Sequence, residues 1–303
     1  MNNAQYTTNL AALNPQASFF KSNGTQCEAS LFMPANTPTA TVILAQGFGC
    51  LWQFGTSNAI SAYVKAGYAV LAFNYRGFGE SEGTPRQFIN PFQQVEDWCA
   101  AIDSVKANSD LPEQIILWGS SFSGGHVISS AAKVSGISAV LAQVPHCDSR
   151  SAFKHVGLKK SLSGLTHALM GKVSALFGRE HCIAIVADPD SGAAGLSHPG
   201  WKDAYLSMVD PQLRWENEVP ARALLSGNGY NPIDTADQIS CPVFIAYGAH
   251  DQGILMSDVE ATAAKIIHCE LWKFDGDHFD AYDGGKVNAE VIQRQLAFLK
   301  NHL

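Results

Sequence analysis

The sequence predicts a doubly wound α/β fold, a mostly parallel sheet covered by helices, with an inserted helical lid. Three observations carry that expectation. Short apolar runs alternate with helical segments along most of the chain. The strand candidates are near-continuously apolar, as strands buried on both faces are. One long stretch breaks the alternation and carries its own helical periodicity. At 303 residues, with 46% hydrophobic and 16% charged residues, the chain is long enough to bury a large core.

The elements follow in order. Residues 19–33 read as a hairpin that turns at Asn23-Gly24 and stops at Pro34. Residues 41–46 form a buried strand, 57–66 a helix, 68–75 a second strand and 91–107 an amphipathic helix. Then come a strand at 114–118, a helix at 122–134 and an apolar strand at 137–144. Strand–helix alternation resumes with 243–247, 259–267, 269–274 and 286–303. The core is therefore expected in residues 1–147 and 239–303.

Residues 148–238 lie between. Leu158, Leu162, Leu165, Leu169, Val173 and Leu176 recur at helical spacing and predict one long amphipathic helix, followed by a Gly/Pro-rich stretch from Asp188 to Trp201. So many residues exceed a loop and should form their own helical layer. Inserted at the carboxyl ends of the strands, that layer would cover a site there. Its leucines, with Phe153, Met170, Phe177, Trp201, Tyr205 and Met208, are available to line an apolar acyl pocket.

The chemistry begins at Ile115-Ile116-Leu117-Trp118-Gly119-Ser120-Ser121-Phe122-Ser123-Gly124-Gly125. A strand ends at a glycine, a serine follows two residues later, and small residues open a helix. This is the make-up of a nucleophile elbow, where strand and helix backbones nearly touch. The elbow presents the Ser121 hydroxyl and places the Phe122 amide at a helix N-terminus, ready for a developing oxyanion. Ser123 is the alternative nucleophile, disfavoured because it falls inside the first helical turn.

Two further strand ends supply a base and an acid. One reads Gly248-Ala249-His250-Asp251-Gln252-Gly253 and the other Asp275-Gly276-Asp277-His278-Phe279. The order Ser121, Asp251, His278 suits a serine triad on this architecture. His278 would take and return the proton, and Asp251 would orient the imidazole. Asp148 is a rival acid, and His250 should point elsewhere. The cluster Asp275, Asp277, His278, Asp280 and Asp283 matches no metal motif and reads as an acidic turn. After the 41–46 strand, Gln46-Gly47-Phe48-Gly49 can bring the Phe48 amide to face that of Phe122. Cys50 reads as a small packing residue. The Gly-rich run Arg76 to Gly83 is not followed at once by a helix, so no dinucleotide or other cofactor is expected.

A net charge of −7, without a basic run, argues against a nucleic-acid or anionic-membrane surface. Seven scattered cysteines, none spaced as CxxC, suit reduced thiols in a cytoplasmic protein. No secretory signal or membrane-length apolar run is read, and a homodimer is left open.

Together these residues resemble the α/β-hydrolase superfamily. The likeness rests on Gln46-Gly-Phe-Gly49, Asn74-Tyr-Arg-Gly-Phe-Gly-Glu-Ser-Glu-Gly83, Gly119-Ser-Ser-Phe-Ser123, Gly248-Ala-His-Asp251 and Gly276-Asp-His278, in that order. Trp118 to His126, His198-Pro-Gly-Trp201 and Val219-Pro-Ala-Arg222 are similar to a branch of bacterial uncharacterised hydrolases and fungal polyketide acyltransferase-like proteins. The resemblance implies Ser121, Asp251 and His278 as triad, with the Phe48 and Phe122 amides as oxyanion hole. It implies hydrolysis of a small-molecule carboxylic ester through an acyl-enzyme. Two alternatives stand beside that expectation: acyl transfer to an alcohol or amine by the same triad, and non-catalytic ligand binding.

Overall fold

A computed structural model describes residues 10–151 and 158–303. The chain opens with β1 (Gln16–Ser22) and β2 (Thr25–Phe32), an antiparallel pair joined at Asn23 and Gly24. Both turn residues have positive φ, 47° and 81°, the conformation that Asn-Gly adopts at low cost. Then follow β3 (Thr41–Ala45), α1 (Ser57–Lys65), β4 (Ala69–Phe73), α2 (Pro91–Lys106), β5 (Ile115–Ser120), α3 (Phe122–Lys133) and β6 (Ala139–Gln143). Asn90 caps α2, its side chain accepting from the amides of Phe92 and Gln93, with Pro91 as first helical residue.

The segment after β6 carries α4 (Leu158–Leu176), β7 (Cys182–Val186), β8 (Ala194–Leu196), α5 (Trp201–Leu206) and β9 (Val219–Pro220). The chain closes with β10 (Val243–Gly248), α6 (Met256–Ala263), β11 (Cys269–Phe274) and α7 (Asn288–His302). The main sheet runs β1-β2-β4-β3-β5-β6-β10-β11, parallel from β4 to β11, with β1 and β2 antiparallel at one side. Every residue of β3, β4, β5, β6 and β10 is buried, the reason their sequences are apolar without alternation. Edge strand β11 is half exposed. Trp98, Phe73 and Tyr75 pack edge to face in the core, with ring centroids 5.1 and 5.3 Å apart.

The expected doubly wound sheet is present. The inserted segment departs from a purely helical layer, because β8, β7 and β9 form a small sheet of their own. Helix α4 lies where its periodicity put it and faces the opposite way. Gly164, Ala168 and Gly171 turn inward, and a Cβ on Gly171 would lie 2.9 Å from the Arg222 amide nitrogen. Leu162, Leu165, Leu169, Val173 and Leu176 are exposed. The close approach to residues 221–225 admits only small side chains, so the leucines are left on the outer face. Among the described residues no helix is long and apolar enough to cross a membrane.

Candidate active site

Ser121 stands between β5 and α3 with φ 58° and ψ −121°. A non-glycine residue holds this strained geometry only when its surroundings fix it. They do: the Ser121 amide donates to the Gln143 carbonyl at 2.8 Å, and its carbonyl accepts from the His146 amide at 2.9 Å. Gly119 is required because a Cβ there would sit 2.3 Å from the Ser123 carbonyl oxygen. Ser123 itself is fully buried, its hydroxyl 2.7 Å from that of Tyr75, which accepts from the Trp98 indole.

The His278 Nδ1 lies 2.7 Å from Asp251 Oδ2, and both side chains are buried. The other oxygen of Asp251 accepts from the Gly253 and Ile254 amides, each at 2.9 Å. The acid is thus held by its own turn after β10 while His278 arrives on the turn after β11. Asp277 caps the His278 turn: its carboxylate accepts from the His278 amide at 2.7 Å, and Asp280 bonds back to the Asp277 amide. His250 points away to Asp275, and Asp148 pairs with Arg150 at 2.7 Å, which holds its carboxyl below the usual range. No described cluster of His, Cys, Asp or Glu is arranged to hold a metal.

Gly47 brings the loop after β3 against the elbow, for a Cβ there would be 2.7 Å from that of Ser121 and 3.1 Å from the Phe122 amide nitrogen. The Phe48 and Phe122 rings meet edge to face at 5.9 Å. Burial pushes the Cys50 thiol up to about 12, so it remains a protonated packing group that bonds the Tyr205 hydroxyl. Arg76 pairs with buried Asp97 at 2.6 Å, which makes the Gly-rich loop a structural joint.

The inserted segment reaches this centre. Tyr205 donates to the Phe48 carbonyl at 3.0 Å, and Trp201 lies over His278 with ring centroids 4.8 Å apart. Trp201, Tyr205 and Met208 are buried, whereas Met170 and Phe177 face solvent and do not line the site. Phe153 falls outside the described residues.

Sequence reasoning missed a polar network behind Phe122. Gln94 accepts from His126 Nε2, and His126 Nδ1 accepts from the Tyr230 hydroxyl at 2.6 Å. Ser149 donates to the Tyr230 carbonyl and bonds His146 Nε2 at 2.9 Å. Burial drives His126 well below its ordinary pKa and His146 down to about 4, so both imidazoles are neutral near pH 7. Residues so far apart in sequence leave no local signature. Tyr282 was missed too. Its phenol accepts from the Ser120 hydroxyl at 2.7 Å, and burial keeps it protonated. A hollow of about 580 Å³ opens elsewhere, between β1 and α2, and touches none of these groups.

A parallel sheet in this strand order, with a strained serine between β5 and its helix, defines an α/β hydrolase. The chain belongs to the X-Pro dipeptidyl-peptidase (S15 family), whose model matches residues 23–278. It is 30% identical to the quorum-quenching protein AidA of Acinetobacter baumannii (strain MDR-ZJ06) over 283 residues, 93% of each chain. It is 25% identical to the polyketide transferase af380 of Aspergillus fumigatus, covering 89% of this chain and 92% of that one. The crystal structure of the alpha/beta hydrolase GrgF from Penicillium sp. sh18 superposes with a TM-score of 0.80 at 23% identity, covering 95% and 98% of the two chains.

Proposed function

We propose that the protein is a cofactor-independent serine hydrolase that cleaves small-molecule carboxylic esters through an acyl-enzyme. The observation that carries this reading is the buried 2.7 Å contact between Asp251 and His278, on the strand edge that also presents strained Ser121. With Nδ1–H donated to Asp251, the imidazole keeps Nε2 as a lone-pair acceptor for the Ser121 proton. Ser121 Oγ then bonds the ester carbonyl carbon, and the negative oxygen settles between the Phe48 and Phe122 amides. His278 returns the proton to the leaving alkoxide, and water repeats the cycle on the acyl-enzyme. Ser123 is a poorer candidate because its hydroxyl is buried and engaged by Tyr75.

Residues 148–238 serve in this reading as a lid. Trp201 on His278 and Tyr205 on the Phe48 carbonyl support it. Seven unpaired cysteines support a reducing, cytoplasmic setting. The likeness to a polyketide transferase favours a second reading, transfer of the acyl group to an alcohol or amine on the same three residues. Product analysis with added alcohol separates the two.

The test is the initial rate on p-nitrophenyl acetate, butyrate and octanoate. Ser121→Ala and His278→Ala should each fall by about 10³-fold or more. A Ser121→Ala variant with undiminished turnover would overturn the assignment.

A further inference from the structure

The Trp201 indole comes from the inserted segment, yet it lies against the side chain that would move the proton. Its ring centroid is 4.8 Å from that of His278, at an interplanar angle of 33°. An aromatic face within about 6 Å attracts a cation, and indole does so best. The indole is held from several sides. Its Nε1 donates to Asp277 Oδ2 at 3.3 Å, and Phe279 meets it edge-on at 5.3 Å. Its benzo edge fills a notch at Gly253, where a Cβ would sit only 2.1 Å from Cη2. The His198 ring packs on it at 4.6 Å. Trp201 is only 3% exposed.

Asp277 joins the same construction from below. Its carboxylate accepts from the His278 amide at 2.7 Å, from the Gln252 side chain at 3.1 Å and from Trp201. One carboxylate therefore gathers the histidine turn, the loop that carries Asp251 and the start of α5. General packing would not need an indole aimed at an imidazole and tethered to that residue's own cap.

We propose that Trp201 is a positioning residue for His278: its indole face braces the imidazole in the Asp251-bonded orientation and stabilises the imidazolium formed when Ser121 loses its proton. This rests on the serine-hydrolase reading above. The titratable groups that face His278 are Asp251 on Nδ1, Asp277 at its amide and the Tyr282 phenol, with ring centroids 5.9 Å apart; His198 lies beyond the indole. Trp201 and Phe279 supply the apolar cover. Docking of the inserted segment thus becomes a condition of full activity.

The experiment compares pH profiles of kcat and kcat/KM for the full chain, Trp201→Leu and Trp201→Phe, with His278→Ala as control and p-nitrophenyl butyrate as substrate. Loss of the indole face should lower plateau kcat about 10-fold, with KM little changed. The acid limb should move to lower pH by about half a unit to one unit, because the charged imidazole loses a stabilising partner. Trp201→Phe keeps a weaker face and should fall between. An acid limb that stays in place while rate and Tm drop together would overturn the proposal and leave Trp201 a packing residue. If Trp201→Leu does not fold, the limb of Trp201→Phe against the wild type decides in the same way. An active His278→Ala would overturn the serine-triad reading and this proposal with it, whereas an inactive one with unmoved limbs overturns only the role of Trp201.

Discussion

In the main sheet every residue of β3, β4, β5, β6 and β10 is buried, so large apolar side chains are what hold it. Helix α4 of the inserted segment is held by Gly164, Ala168 and Gly171, and it shows its leucines to solvent. Both regions are rich in apolar residues. What separates them is the distance to the neighbouring backbone. The sheet accepts whole side chains between its layers, while α4 meets residues 221–225 almost backbone to backbone. Hydrophobic periodicity therefore locates a helix without saying which face is anchored.

The comparison can be broken by adding carbon at contacts of either kind. Gly119→Val puts a side chain into the Ser123 carbonyl, 2.3 Å from where its Cβ would lie, with no flexible atom to yield. It should cost about 3–5 kcal/mol of stability and abolish the turnover of p-nitrophenyl butyrate that the proposed function expects, read by thermal unfolding and by rate.

A smaller effect comes from a half-buried carboxyl at the start of α1. Asp283 accepts from the amides of Ser57 and Asn58 at the start of α1, yet burial pushes its carboxyl up to about 6. A pKa raised in the fold means that the native state holds its proton more tightly than the unfolded chain. Stability is then fully present below about pH 4 and declines as pH rises through 6, by up to about 3 kcal/mol. Urea unfolding at pH 4.5 and 7 should show this decline in the wild type and much less of it in Asp283→Asn.

Smallest is the contrast within α4. Gly171→Val should cost about 1–3 kcal/mol by forcing the helix off Arg222, whereas Leu165→Ser should stay within about 0.5 kcal/mol. Urea unfolding of both variants checks it. A larger loss for Leu165→Ser, or a changed sedimentation coefficient, would mean that the leucine stripe is covered in solution.

These contrasts explain what could be read in advance. The strands were legible because burial on both faces leaves runs such as Val42 to Ala45 and Val243 to Tyr247 apolar throughout. The elbow was legible because its close approach demands glycine at 119. Asp251 and His278 were legible as residues just past strand ends, where the chain order alone places them on one edge. The small sheet of β7, β8 and β9 was not, since its strands are short and β7 and β8 are only partly buried. Nor was the tether of Trp201 to Asp277, which joins residues far apart in sequence through one indole N–H. Asp277 read as surface acid because a cap looks like any other carboxylate until its partners are placed.

The order of the main sheet has one more consequence. Strand β5, which delivers Ser121, has β3, β4, β2 and β1 on one flank and β6, β10 and β11 on the other. Strand β11, which delivers His278, is the free margin of the sheet. Amides of an outer strand exchange with solvent through small openings, while those of a central strand wait for global unfolding. In deuterated water the amides of 115–120 should thus outlast those of 269–274. Ser121, the nucleophile of the proposed reading, therefore follows the strand expected to exchange slowest, and His278 follows a margin that can breathe without disturbing it.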